Sequence, residues 1–183
     1  MYLLIFASLL IVSSNAKSCI TEQGPQGVKC LEMFLKVAET VGTYNFTDPS
    51  TYRPTNEVCG KFKRCVPTFA CETEPKVTSA VKVIVLFCDA ISFFSNEFSP
   101  CQVKLDSNTT ECSRAWDPFP NEVKDKKKMV EIQKEACKNY FGKDNCMKEE
   151  IIEVCGKELW GGFKTHLLAL NTIIKACDHI DIE

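Results

Sequence analysis

Apolar positions recur along most of this chain at steps of three and four, the spacing of one buried helix face. Trp160, Phe163, Leu167, Leu170, Ile174 and Cys177 make the longest such stripe. Leu31, Phe34, Ala38 and Val41 repeat it, as do Val58, Phe62, Cys65 and Phe69, where Pro67 is expected to end or bend the helix. Ile151, Ile152 and Val154 predict a short helix between Cys146 and Cys155, with Gly156 as its stop. No segment alternates with the two-residue period of a half-buried strand, and no Asn-Gly or Asp-Gly hairpin turn occurs. The pattern predicts an all-α protein. Two stretches read as loops: Gly24-Pro25-Gln26-Gly27, and Trp116-Asp117-Pro118-Phe119-Pro120. The second leads into Lys124-Asp125-Lys126-Lys127-Lys128, which reads as the solvated start of a helix.

Val77 to Phe94 is apolar enough to raise the question of a membrane span. Lys82 and Asp89 lie inside it, and each would cost roughly 2.5–3.5 kcal/mol at a bilayer centre. Cys88 would also lose its route to a partner. A buried central helix is the better reading, and the chain is not expected to span a membrane.

The amino terminus behaves differently. Leu3 to Val12 is uncharged and apolar apart from Ser8, long enough for the core of a signal peptide and too short for a span. Ser14-Asn15-Ala16 then offers the small residues that a signal peptidase reads. A leader over 1–16 is expected, with one cysteine-rich helical domain over 17–183. Twelve cysteines support an oxidising compartment and six disulfides. They fall into two sets, Cys19, Cys30, Cys59, Cys65, Cys71, Cys88 and Cys101, Cys112, Cys137, Cys146, Cys155, Cys177. The steps are 11, 29, 6, 6, 17 in the first set and 11, 25, 9, 9, 22 in the second. The sets also close alike, with Cys88-Asp89-Ala90-Ile91 against Cys177-Asp178-His179-Ile180. Two disulfide-stapled pseudo-repeats, about 19–91 and 101–180, follow from this likeness. Pairing within each half stays open, because spacing does not choose among the alternatives.

Composition narrows the chemistry. A 45% apolar fraction suits a folded globular protein, and 22 Lys+Arg against 24 Asp+Glu leave no basic field for nucleic acid. Asn45-Phe46-Thr47 and Asn108-Thr109-Thr110 are acceptor sequences for N-linked glycans. Structural zinc needs close ligand pairs such as Cys-x-x-Cys, and the nearest cysteines here are six apart, so no metal or cofactor is expected. Neither a Gly-x-Ser-x-Gly elbow nor a His-Glu-x-x-His helix is present. His166 reads as a half-buried flank of the Trp160 stripe, His179 as solvated, and Glu149-Glu150 as helix surface. No catalytic residue is assigned. Trp116 and Phe119, on a loop stiffened by proline, are the candidates for recognising a partner. The favoured reading folds them inward to plug the space between the halves, because large aromatics usually belong to the core.

Several longer segments carry a resemblance. They are the twelve-cysteine spacing, Trp116 to Pro120, Ala136-Cys137-Lys138-Asn139-Tyr140-Phe141-Gly142-Lys143-Asp144-Asn145-Cys146, Cys155-Gly156-Lys157-Glu158, and Phe163-Lys164-Thr165-His166-Leu167-Leu168-Ala169-Leu170-Asn171. In these the chain resembles a nematode family of cysteine-rich proteins known as domain of unknown function nineteen, also grouped as uncharacterised protein family 0376. The resemblance implies secretion and disulfide bonding, and brings no catalytic or binding residue with it. The expected activity is non-enzymatic binding or signalling outside the cell, with an extracellular protein as partner. Carriage of lipid or another small apolar ligand is the alternative. A secreted enzyme or an antimicrobial effector ranks below both, since a net charge of −2 suits membrane attack poorly.

Overall fold

The computed structural model describes residues 19–44, 49–108, 110–121 and 123–180. The expected leader and Asn45 lie outside them. The described residues are helical, in two compact units that divide between Ser92 and Phe93.

The first unit holds α1 (Cys19–Glu22), α2 (Pro25–Thr43), α3 (Tyr52–Cys65) and α4 (Pro75–Ser92). Pro25 to Gly27 are not loop. They form the first turn of α2, because proline at the first helical position gives up only an amide that would be unpaired there anyway. The break falls one residue earlier, at Gly24, whose φ is +70°. Gly27 is needed for a different reason. A Cβ there would stand 1.7 Å from the backbone oxygen of Ile20, so only glycine lets α1 lie this close. Helix α3 gives way to a 3-10 turn over Val66–Cys71, which contains Pro67, as the proline predicts. Phe34, Phe62 and Phe69 meet beneath these elements with ring centres 5.5–6.2 Å apart.

Pro75–Glu97 is long and apolar enough to cross a membrane by length and composition alone. Within the first unit, α4 buries Val81, Ile84, Phe87, Cys88, Ala90 and Ile91. Cys88 is bonded to Cys59 of α3, and Asp89 pairs with Lys63 of the same helix at 2.5 Å. These ties hold α4 against α3, the helix that packs on most of the unit's other elements, and Leu86 of α4 stays 43% exposed.

The second unit opens with a π-helical turn, Phe93–Glu97. There follow α5 (Ser99–Ser107), α6 (Glu111–Ala115), α7 (Lys126–Lys138), α8 (Cys146–Cys155) and α9 (Lys157–Ile174). Asp125 caps α7 by accepting hydrogen bonds from the amides of Lys127 and Lys128, which offsets three lysines beside the positive end of the helix dipole. Gly156, at φ +95°, both ends α8 and starts α9. The apolar stripe of α9 buries Trp160, Phe163, Leu167 and Leu170. The helix stops at Ile174, short of Cys177, because Lys175 turns left-handed at φ 53°. Asn171 holds the turn: its side chain accepts from the Cys177 amide and donates to the Cys177 carbonyl, each at 2.9 Å.

All twelve cysteines are bonded, and every bridge closes within its own unit. In the first unit Cys19 pairs with Cys71, Cys30 with Cys65 and Cys59 with Cys88. In the second Cys101 pairs with Cys155, Cys112 with Cys146 and Cys137 with Cys177. Both sets join first to fifth, second to fourth and third to sixth. That shared order is stronger support for a duplication than the spacings themselves.

Candidate functional site

The Trp116–Pro120 loop follows α6 and lies against the second unit's own core. The Trp116 indole Nε1 donates to the Tyr140 carbonyl at 3.0 Å, and its ring sits 5.6 Å from that of Phe163. Phe119 meets Tyr140 edge-on at 5.9 Å, and Pro118 is buried. Tyr140 is 1% exposed and donates its hydroxyl to the Leu167 carbonyl of α9 at 2.8 Å. Burial pushes the Tyr140 phenol well above its usual range, since a phenolate there would be stripped of water. One chain of contacts thus runs from loop to core helix. Both Trp116 and Phe119 remain half-buried, so part of each ring is still presented outward.

Around this loop stands an aromatic cluster that joins Trp160 and Phe163 of the predicted stripe to rings that periodicity did not reveal. Phe98 and Phe163 lie 4.9 Å apart, Trp160 and Phe163 5.8 Å, and Phe141 and Trp160 5.3 Å. Phe93, in the π turn, stacks on the imidazole of His166 at 4.6 Å and 23° from parallel. His166 is half-buried and its face is occupied by a ring, while His179 is exposed. The two histidines thus have different settings.

The second cluster surrounds the Asn108 sequence. Asn108 is exposed and closes α5. Two residues on, Thr110 caps α6, its hydroxyl accepting from the Ser113 amide at 3.1 Å while the Ser113 hydroxyl accepts from the Thr110 amide. The same Thr110 hydroxyl donates to the Glu150 carboxylate of α8. The other oxygen of Glu150 is buried without a hydrogen-bond partner. Glu149, beside it in sequence, is exposed. A surface pair in the sequence is thus one solvated acid and one acid committed to a helix cap. The signal that could have found the cap was Thr110 itself, a threonine just ahead of Glu111, the pairing usual at a helix start. Nothing in the sequence pointed to Glu150. Among the described residues, no group of three or more His, Cys, Asp or Glu is placed to hold a metal ion.

The profile of the domain of unknown function DUF19 matches residues 19–178, from the first cysteine to one residue past the last. The chain belongs to this family. Its relatives from Caenorhabditis elegans include UPF0376 protein F10G2.1, 32% identical over 97% of this chain and 90% of the relative. Another, named excretory canal abnormal exc-13, is 33% identical over 94% of this chain and 88% of the relative. UPF0376 protein C36C5.12 is 29% identical over 92% and 80%. No solved structure matches. The DUF19 match thus spans both six-cysteine sets together.

Proposed function

We propose that this DUF19 chain is a secreted glycoprotein that acts outside the cell by binding, without catalysis, through the surface of its two bridged units. The observation that supports this reading most is the closure of all twelve cysteines into two sets of the same order. Such a framework persists where thiols are oxidised, and it fixes surface side chains at low entropic cost on binding. The half-buried Trp116 and Phe119 are the residues we assign to the contact, because large aromatics held by a stiff loop anchor partners. The partner is an extracellular protein.

A second reading, carriage of a lipid or small apolar molecule, draws on α4. Less than half of the apolar stretch within Pro75–Glu97 is buried, and Leu86 of α4, like Val28 and Leu35 of α2, is exposed.

The test is the native mass of the untagged full chain after expression in a eukaryotic host. A chain in the medium that begins at Lys17, is lighter by twelve hydrogens, carries hexose increments and holds no apolar adduct is expected. A retained apolar adduct would move the carrier reading ahead. An unprocessed chain kept inside the cell would overturn secretion, and turnover lost on His166→Ala would overturn non-enzymatic action.

A further inference from the structure

The Asn108 sequence raises a question of timing that its mere presence does not. Transfer of an N-linked glycan needs two groups of the acceptor: the carboxamide of the asparagine and the hydroxyl two residues on. In the folded second unit the first is presented and the second is not. Asn108 is exposed at the end of α5. The Thr110 hydroxyl donates to Glu150, forty residues further along, and accepts from the Ser113 amide. Its residue is half-buried, and Cys112, two positions on, is bonded to Cys146 at the start of α8. To offer that hydroxyl to an enzyme, α6 would have to lose its cap and come away from α8.

We infer that Asn108 carries an N-linked glycan, and that it is added before the Cys112–Cys146 bridge closes. This rests on the reading of secretion, since the transferase and its donor belong to the secretory pathway. The donor is a lipid-pyrophosphate-linked oligosaccharide. The Asn108 side-chain nitrogen loses one proton, which passes through the transferase to water, and bonds to the sugar's anomeric carbon. The bond from that carbon to the pyrophosphate oxygen breaks, and the lipid pyrophosphate leaves with the electron pair. No oxidant or reductant is needed. After transfer, folding takes the Thr110 hydroxyl into the cap on Glu150, and the glycan projects from the exposed end of α5. The site is open on the nascent chain and closed on the folded one.

The experiment has three arms, each read by peptide mass at Asn108 before and after enzymatic glycan release, with Asn108→Gln as the blank. In the first, the full chain is synthesised in the presence of microsomes, and modification of Asn108 is expected. In the second, oxidised protein with six verified bridges is given purified oligosaccharyltransferase and the lipid-linked donor, and no modification is expected. In the third, the same protein is reduced and alkylated first, and modification returns. A cut leader with bare Asn108 in the first arm overturns this inference alone. An uncut leader with no glycan overturns secretion and this inference together. Equal modification in the second and third arms overturns the order of events, as does failure of the third. The double variant Cys112→Ser/Cys146→Ser, tested as in the second arm, should gain modification.

Discussion

Tyr140 is the residue on which the second unit's loop and last helix both depend. Its carbonyl accepts from Trp116 and its hydroxyl donates to Leu167. Because burial raises its pKa, the unfolded chain releases the phenol proton near pH 10 while the folded chain keeps it. The folded state then binds more protons, so this contribution to stability is intact below pH 10 and falls as pH rises above it. Tyr140→Phe should cost about 1 kcal/mol at neutral pH through the lost hydrogen bond, yet flatten the alkaline decline. Denaturant melts at neutral and alkaline pH, with phenolate absorbance followed alongside, check both parts. Gly142, two residues on, has φ +82°, and a Cβ there would lie 2.6 Å from the Cys146 sulfur and 3.1 Å from that of Cys112. Gly142→Ala should lower stability by about 1–3 kcal/mol. It should also slow closure of that one bridge, visible by disulfide mapping during refolding.

At the scale of helices, α9 offers a comparison between adjacent residues. A methyl on Gly161 meets nothing within 4 Å, whereas one on Gly162 would come within 2.5 Å of the Phe93 ring. Gly161→Ala should therefore stabilise by up to about 1 kcal/mol through helix propensity alone. Gly162→Ala should destabilise despite the same propensity gain, because the Phe93–His166 stack must move. Thermal melts of the two variants should shift in opposite directions.

This helix also shows what sequence can and cannot disclose. Trp160, Phe163, Leu167 and Leu170 were legible as its buried face because four apolar groups at helical spacing have few other uses. Its end was not legible: Lys175 takes a left-handed conformation that lysine does not advertise, and Asn171 holds the turn from within the helix. Pro25 misled for a related reason, since proline suits both a turn and the first position of a helix. Gly156 was legible because glycine is the usual residue where a helix ends with positive φ. The π turn left no signal, as its aromatic residues fit an ordinary helix equally well. At the candidate site, the Trp116–Pro120 loop could be read from its prolines. Its partners Tyr140 and Phe163 could not, because they are distant in sequence.

For the whole molecule, bridges confined to each unit predict that damage to one leaves the other intact. Cys59 and Cys88 are 1% and 0% exposed, and replacing both by serine should cost about 2–4 kcal/mol in the first unit. Hydrogen exchange should show lost protection along α3 and α4, with α8 and α9 unchanged. Loss of protection in both units would show that they unfold together. Limited reduction should open Cys19–Cys71 ahead of its neighbours, since Cys71 is exposed while Cys30, Cys65, Cys59 and Cys88 are buried. Alkylation and peptide mapping would give the order.

The segregation of the bridges also bears on how the chain is made. Cys88 precedes Cys101, and no bond joins one set to the other. Under the proposed secretion, a chain threaded amino end first into an oxidising compartment presents a complete set of six thiols before any competitor from the second set emerges. Vectorial delivery divides one large sorting problem into two small ones, solved in succession. Twelve thiols released at once in a test tube lose that advantage, so wrong bonds across the two sets should dominate early in refolding. A disulfide isomerase would then matter more in the test tube than during synthesis.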